Sequence, residues 1–345
     1  MKTWKPINFF RCKSRWGWGL FSVLMLGTLL LAGCGKSDES TSQVQEKKRP
    51  VIAVIPKGTA HVFWQAVHSG AVTAGKEFDV EIQWQGPQTE TMKEQQASIV
   101  SDFLVKQVDG IVLAPQDQDA LAPVVERVAL QKIPLVIFDS GINSENYLSF
   151  VATDNYQGGV MAARHMGRLL NGKGTVIITK VDPGSDSTIN RENGFEEILA
   201  KEFPEIKVVG SAYGYSDREK SRAATDDLLI AHPDVDGIFG PNESSTFGVL
   251  LALQARELVG KKKFVGFDSS DELVDAMRKN EIDVLILQNP FKMGYEGVKA
   301  IVRHLNGEEV PRRIDTGVYA VTPDNMDEPE NKNLLIPDLS ILQEG

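Results

Sequence analysis

Val51-Ile52-Ala53-Val54-Ile55-Pro56-Lys57-Gly58-Thr59-Ala60-His61-Val62-Phe63-Trp64 is an unbroken apolar run, a polar turn and the opening of a helical pattern. A half-buried strand alternates apolar and polar side chains. A run with no polar position has no face to give to water, so it marks a strand covered on both sides, as in parallel sheets flanked by helices. The same unit recurs along the chain. Short β-rich runs fall at 80–84, 110–113, 135–138, 150–152, 175–179, 207–209, 237–239, 263–267 and 284–287. Stretches of helical period lie between them, at 63–77, 91–106, 119–130, 156–170, 191–201, 217–231, 245–257, 271–279 and 294–305. Buried strands that alternate with helices of this length build βαβ units. There are too many strands for one small sheet, so the expected architecture is α/β, with two doubly wound parallel-sheet lobes.

Open parallel sheets bind ligands beyond the carboxyl ends of their strands. The residues that follow each run are therefore the candidates. Asp139 follows 135–138, Asn242 lies just past 237–239, Asp268 follows 263–267, and Gln288 follows 284–287. Arg191 opens a helical stretch, and Phe63 and Trp64 open the first one. Planar carboxylate, amide and guanidinium groups suit hydroxyls that both donate and accept, and aromatic rings suit the C–H face of a sugar ring. Each candidate also has a structural alternative. Asp139 and Asp268 are good helix caps, Phe63 and Trp64 are good core residues, and Arg191 has Glu192 and Glu196 nearby. The recurrence of polar groups at equivalent strand ends is what favours a site.

The first forty residues fix the location. Lys2, Lys5, Arg11, Lys13 and Arg15 form a positive region with no acidic residue, followed by an apolar stretch to Ala32 and then Leu31-Ala32-Gly33-Cys34. That pattern predicts a lipoprotein signal peptide over 1–33, with lipid attached at Cys34 and the protein anchored to the membrane of the cell envelope, facing the periplasm or the extracellular side. Residues 34–49 are polar and read as a flexible tether. The mature chain then keeps 32 basic against 47 acidic residues, a formal charge of −15. Such a chain repels phosphate backbones, so nucleic acid is a poor partner. With Cys12 removed and Cys34 acylated, thiol catalysis, disulfides and cysteine metal sites are excluded. Gly167-Arg168-Leu169-Leu170-Asn171-Gly172-Lys173-Gly174 lacks the Ser or Thr of a phosphate loop and follows a helix rather than a strand. No dinucleotide fingerprint, nucleophile elbow or paired zinc histidines occur, so neither a cofactor, a metal nor an enzymatic activity is expected.

In order, these residues resemble the ribose/galactose-type periplasmic binding proteins of ABC sugar transporters, the type I fold shared with the sensor domains of LacI-like repressors. The resemblance runs from Pro50 to about Ala320. It is carried by Phe63-Trp64, Val151-Ala152-Thr153-Asp154-Asn155, Arg191-Glu192-Asn193-Gly194-Phe195, Asn242 in Pro-Asn-Glu, Val265-Gly266-Phe267-Asp268 and Gln288-Asn289-Pro290. It implies a monomeric receptor with three crossovers, near 153–155, 288–290 and 320–323. Its lobes would comprise 50–153 plus 289–320 and 154–288 plus 321–345. A small sugar or polyol would be held by Phe63, Trp64, Asp139, Arg191, Asn242, Asp268 and Gln288, then delivered to the permease of an ABC importer. A sensor that presents its ligand to a membrane signalling protein uses the same fold and is the alternative. Ribose-binding members carry Arg where Ser140 stands, Asn where Ala114 stands, and Asn-Asn-Pro where Ala60-His61-Val62 stands. Ribose is therefore not implied. Lys57 and His61 are the candidate replacement donors; Lys57 suits an acidic sugar, unless it turns to solvent.

Overall fold

The computed structural model describes residues 48–343. The expected signal peptide, Cys34 and all but the last two residues of the expected tether lie outside the described residues. The chain runs β1 (Val51–Ile55), α1 (Val62–Glu77), β2 (Glu81–Trp84), α2 (Lys93–Lys106), β3 (Gly110–Leu113), α3 (Ala122–Leu130), β4 (Leu135–Phe138) and β5 (Ser149–Ala152). It continues through α4 (Asn155–Leu169), β6 (Lys173–Lys180), α5 (Asp186–Glu202), β7 (Glu205–Tyr213), α6 (Arg218–Ala231), β8 (Gly237–Phe239), α7 (Glu243–Ala255), β9 (Lys263–Phe267), α8 (Asp271–Arg278) and β10 (Val284–Leu287). Last come α9 (Pro290–Leu305), β11 (Arg313–Asp315), β12 (Tyr319–Val321), α10 (Pro329–Leu335) and a 3₁₀ turn at Ser340–Gln343.

Two six-stranded sheets result, ordered β2-β1-β3-β4-β5-β11 and β7-β6-β8-β9-β10-β12. The orders match strand for strand, so the molecule is two copies of one α/β winding. All neighbours are parallel except β10 and β12. The apolar runs behave as their composition demands. Ile52 and Val54 pack into one cluster and Ala53 and Ile55 into another, on opposite faces of the first sheet. In the second sheet Val176 and Ile178 likewise separate from Ile177. Each fully buried aliphatic side chain contributes about 1.5–3 kcal/mol, and a strand with no polar position collects this on both faces.

The helices that carry the candidate residues are set by close backbone approaches. A Cβ at Gly159 of α4 would lie 2.0 Å from the Arg191 carbonyl oxygen of α5. A Cβ at Gly294 of α9 would lie 2.0 Å from the Val67 carbonyl oxygen of α1. These glycines seat α5 and α1 against their neighbours and so fix the height of Arg191 and of Phe63-Trp64 above the sheets.

The chain passes between sheets from β5 to α4, from β10 to α9 and from β11 to β12. Thr153 Oγ1 donates to Gly317 O at 3.1 Å and so ties the first connection to the third. The third lies at 316–318, which corrects the expected position of 320–323; Tyr319 and Ala320 belong to the second sheet. The shift follows from two three-residue edge strands separated by a tight turn at Gly317, whose φ is +92°. Nothing so short carries a readable period. The tail also departs from its expected place in the second lobe alone. Leu335 is buried in the core of the second sheet, but Ser69 Oγ of α1 donates to Asp338 O at 3.2 Å, back on the first.

Candidate functional site

All nine sequence-derived candidates line one cleft between the carboxyl ends of the two sheets. β1 delivers Lys57 and, through the following turn, His61, Phe63 and Trp64. β4 delivers Asp139, β9 Asp268 and β10 Gln288, while Asn242 begins α7 and Arg191 comes from the middle of α5. Asp139 and Asp268 occupy equivalent positions of the two windings. Both have left-handed backbones, with φ of 61° and 65°, a conformation that aspartate tolerates better than most residues. Each amide donates to the next strand, Asp139 to Val151 O at 3.0 Å and Asp268 to Ile286 O at 2.8 Å. Neither caps the helix that follows it; Ser270 caps α8, and Asp268 Oδ2 accepts from Glu243 N at the start of α7 at 3.2 Å.

Arg191 anchors the second-sheet side and is 2% exposed. Its Nε donates to Asn155 Oδ1 at 2.8 Å and its Nη1 to Pro241 O at 3.0 Å. The guanidinium lies over the Phe267 ring at 3.9 Å, and Nη1 stands 3.8 Å from Asp268 Oδ2. Glu192 and Glu196 pair with Lys180 instead. Burial pushes the Asp268 carboxyl up to about 6, with Arg191 and the Gln288 amide holding it from going higher. Gln288 Nε2 donates to Asp268 Oδ1 at 2.7 Å, while Gln288 Oε1 is buried with no hydrogen-bond partner. Buried acceptors are rarely left open in native proteins, and Gln288 lies on the wall of the cleft. Asn242 has two roles. Its Oδ1 caps α7 by accepting Ser245 N at 2.9 Å, while its Nδ2 has no acceptor among the described residues.

The first-sheet side presents aromatic rings. Phe63 and Trp64 meet edge to face, 4.8 Å apart at 86°. Trp64 is also core, packed on Phe138, and its Nε1 donates to Glu90 Oε1 at 2.8 Å. Lys57 is 4% exposed. Its ammonium donates to Asp139 Oδ2 at 3.0 Å, Ser187 Oγ at 3.1 Å and Ser185 Oγ at 3.2 Å. His61 Nδ1 lies 2.6 Å from Glu243 Oε2, and Arg218 holds the other oxygen. Burial alone would lower the His61 imidazole; the Glu243 carboxylate, with Glu90 behind it, outweighs this and raises it above its ordinary 6.5. Burial would raise Glu243, but His61 and Arg218 hold it below the usual range.

Glu90, Ser187, Thr188, Glu243 and Ser244 also line the cleft and were not singled out in the sequence. Glu243 and Ser244 adjoin Asn242 and were within reach of the strand-end rule. Ser187 and Thr188 sit in the first turn of α5, which begins at Asp186 rather than near 191. The polar segment Asp186-Ser187-Thr188-Ile189-Asn190 shows no apolar period because it faces the cleft and the opposite sheet. No nucleophile–base pair is present here. Ser244 Oγ bonds Asn242 Oδ1 rather than His61, and Lys57 donates all its hydrogens, which is the arrangement of an ammonium donor and not of a base.

The chain is similar to solved solute-binding structures over nearly its whole folded part. A solute-binding protein of an Agrobacterium vitis ABC transporter, solved with D-fucose, is 35% identical, with a TM-score of 0.80 over 83% of this chain and 100% of that one. A carbohydrate transporter solute-binding protein of Agrobacterium radiobacter, solved with D-arabinose, is 32% identical, with a TM-score of 0.81 over 84% and 100%. A ribose import binding protein of Bacillus subtilis is 25% identical over 85% of this chain and 94% of its own length. The model of the periplasmic binding protein domain matches residues 52–309, and the chain belongs to that family of extracytoplasmic binding proteins, which are not enzymes.

Proposed function

We propose that the protein captures a neutral monosaccharide or small polyol between its two sheets and delivers it to an ABC importer. The observation that carries the reading is a cleft between the two sheets in which aromatic rings and unfilled hydrogen-bonding positions come together. Phe63 and Trp64 give the C–H surface. Arg191 and Asn242 Nδ2 donate, while Asp139, Asp268 and the open Gln288 Oε1 accept. His61 adds its second ring nitrogen. The ligands that relatives are named for or solved with, ribose, xylitol, D-arabinose and D-fucose, are small and uncharged.

A thermal-shift screen of neutral pentoses, hexoses, deoxy sugars and alditols tests this reading. A ligand at a hundredfold excess over its dissociation constant stabilises the fold by about 2.7 kcal/mol, a shift of several degrees. No shift with any carbohydrate sinks the assignment. We also read the mature protein as a monomer held to the membrane by lipid on Cys34, its charge keeping it soluble along the tether. Labelling with radioactive palmitate is expected in the wild type and lost in Cys34→Ser; equal labelling of both rejects the anchor.

A further inference from the structure

Beyond that sugar-binding reading, on which it rests, we propose that Glu243 is a positioning residue that receives the His61 imidazole when the lobes close around a sugar, so that capture takes up a proton and weakens in alkaline solution. Receptors of this fold close by hinge motion around their ligand, and His61 and Glu243 come from opposite lobes. His61 stands in the turn between β1 and α1, where its carbonyl accepts from Trp64 N at 3.0 Å and ties its backbone to the helix. Glu243 opens α7 in the second lobe. Their side chains, 17% and 6% exposed, meet at 2.6 Å.

Glu243 is prepared for this partner by its own lobe. Arg218 of α6 donates to Oε1, and its guanidinium rests on the Phe247 ring of α7 at 3.9 Å. The amino end of α7 adds favourable partial charge. The carboxylate therefore stays ionised in the open form as well, with Oε2 left for His61. Two bare acceptors do not approach to 2.6 Å, so Nδ1 carries the hydrogen of this bond. The other ring nitrogen, Nε2, has no hydrogen-bond partner among the described residues. It accepts from a sugar hydroxyl when the imidazole is neutral and donates to one when the imidazole is protonated.

The surrounding charges favour protonation in the closed form. Glu243 faces the ring from α7 and Glu90 from the segment between β2 and α2, while Arg218 of α6 opposes them. Asp217 and Glu219, at the start of α6, share a second cavity with His61. In the main cleft Lys57 pairs with Asp139 and Arg191 with Asp268, which largely cancels their charges. Burial lowers the imidazole, but the Glu243 and Glu90 carboxylates outweigh it and set the value above the ordinary 6.5. When the lobes part, Glu243 and Arg218 leave together and the ring returns to water. The closed form thus holds the proton more tightly than the open one. Its advantage is complete below about pH 6.5 and is lost as the pH rises through the raised value.

The test uses the mature chain with Cys34→Ser and isothermal titration with D-fucose, D-arabinose, D-ribose and xylitol. Heats at pH 7.5 in phosphate and in Tris give the protons taken up, because the two buffers differ in ionisation enthalpy. Affinities are followed from pH 7 to 9, where Asp268, at about 6, stays ionised. The wild type is expected to take up a fraction of a proton and to bind about threefold more weakly at pH 9 than at pH 7, the scale of a partly exposed ion pair. His61→Gln and Glu243→Gln reach the pair from opposite lobes, and each should abolish the uptake and flatten the profile. Either one decides the matter should the other fail to fold. A variant that binds more weakly at every pH but keeps the wild-type slope and uptake overturns the proposal, since a merely structural contact would do that. Sugar binding by the wild type with no uptake and a flat profile sinks this inference alone. If none of the four ligands binds, the sugar reading fails and this inference falls with it.

Discussion

Arg191→Met is expected to weaken sugar binding by more than about a hundredfold and to lower the melting temperature. Methionine fills much of the same volume, so the loss isolates the guanidinium. Truncating one partner of a buried, hydrogen-bonded charge pair costs about 2–5 kcal/mol. Here the partner left behind is Asp268, whose carboxyl is already pushed up to about 6 by burial. Two further bonds go at the same time. Asn155 Oδ1 and Pro241 O each lose their donor, and Asn155 also holds the main chain of Asp139, donating to its carbonyl at 3.3 Å. The damage therefore reaches from the second-sheet wall, through the first crossover, to the first-sheet wall. Isothermal titration with the sugar found in the screen measures the affinity, and calorimetric melting measures the stability. An affinity within tenfold of the wild type shows that the ligand does not use this residue.

Asp268→Asn is expected to move stability and binding in opposite directions. The folded-state pKa of Asp268 is raised from 3.8 to about 6, so the folded protein holds this proton more tightly than the unfolded chain does. The stabilisation from that proton is complete below about pH 4, declines as pH rises towards 6, and is absent at 7. The ionised carboxylate then sits at its full burial cost, on the order of 2–3 kcal/mol at 1.36 kcal/mol per unit. Asparagine is never charged, so the variant is expected to melt higher at pH 7.5 and to lose the part of the pH dependence that falls between 4 and 6. Its local bonds can be remade: Gln288 can turn its amide so that the open Oε1 accepts from the new Nδ2 group. Binding falls by about ten- to a hundredfold, since charge-assisted bonds to hydroxyls are replaced by neutral ones worth roughly half as much. In the wild type the sugar bonds to the ionised form, so affinity should also decline as pH drops below about 6. Equal affinity in wild type and variant, with the same pH profile, contradicts the role given to this carboxylate.

The sequence exposed the repeating architecture because continuous apolar runs such as 51–55 and 284–287 have only one stable home, between two helical layers. It also exposed the candidate site, for a topological reason. Asp139, Asn242, Asp268 and Gln288 directly follow buried strands, where the chain must leave the core and where parallel sheets open their clefts. Four things were not legible. The edge strands β11 and β12 have three residues each and one mostly exposed face, so no period marks them, and the third crossover was placed too late. The start of α5 was hidden because its first turn packs on the other lobe rather than on an apolar core. The partnership of Lys57 with Ser185 and Ser187 joins residues about 130 positions apart. Only the closing of one lobe on the other brings them together. Glu90, anchored through the Trp64 indole, was missed because its loop between β2 and α2 follows a strand whose pattern gave no distinct polar end.

A crystal structure of the protein with the neutral sugar that gives the largest thermal shift is the most direct test of the account. The sugar ring is expected between the two sheets with one face against Phe63. Its hydroxyls should bond to Arg191, Asp268 and the otherwise unpartnered Gln288 Oε1, and Lys57 should remain on Asp139, Ser185 and Ser187. A sugar bound outside this cleft, or one whose hydroxyls leave Arg191, Asp268 and Gln288 untouched, would contradict it.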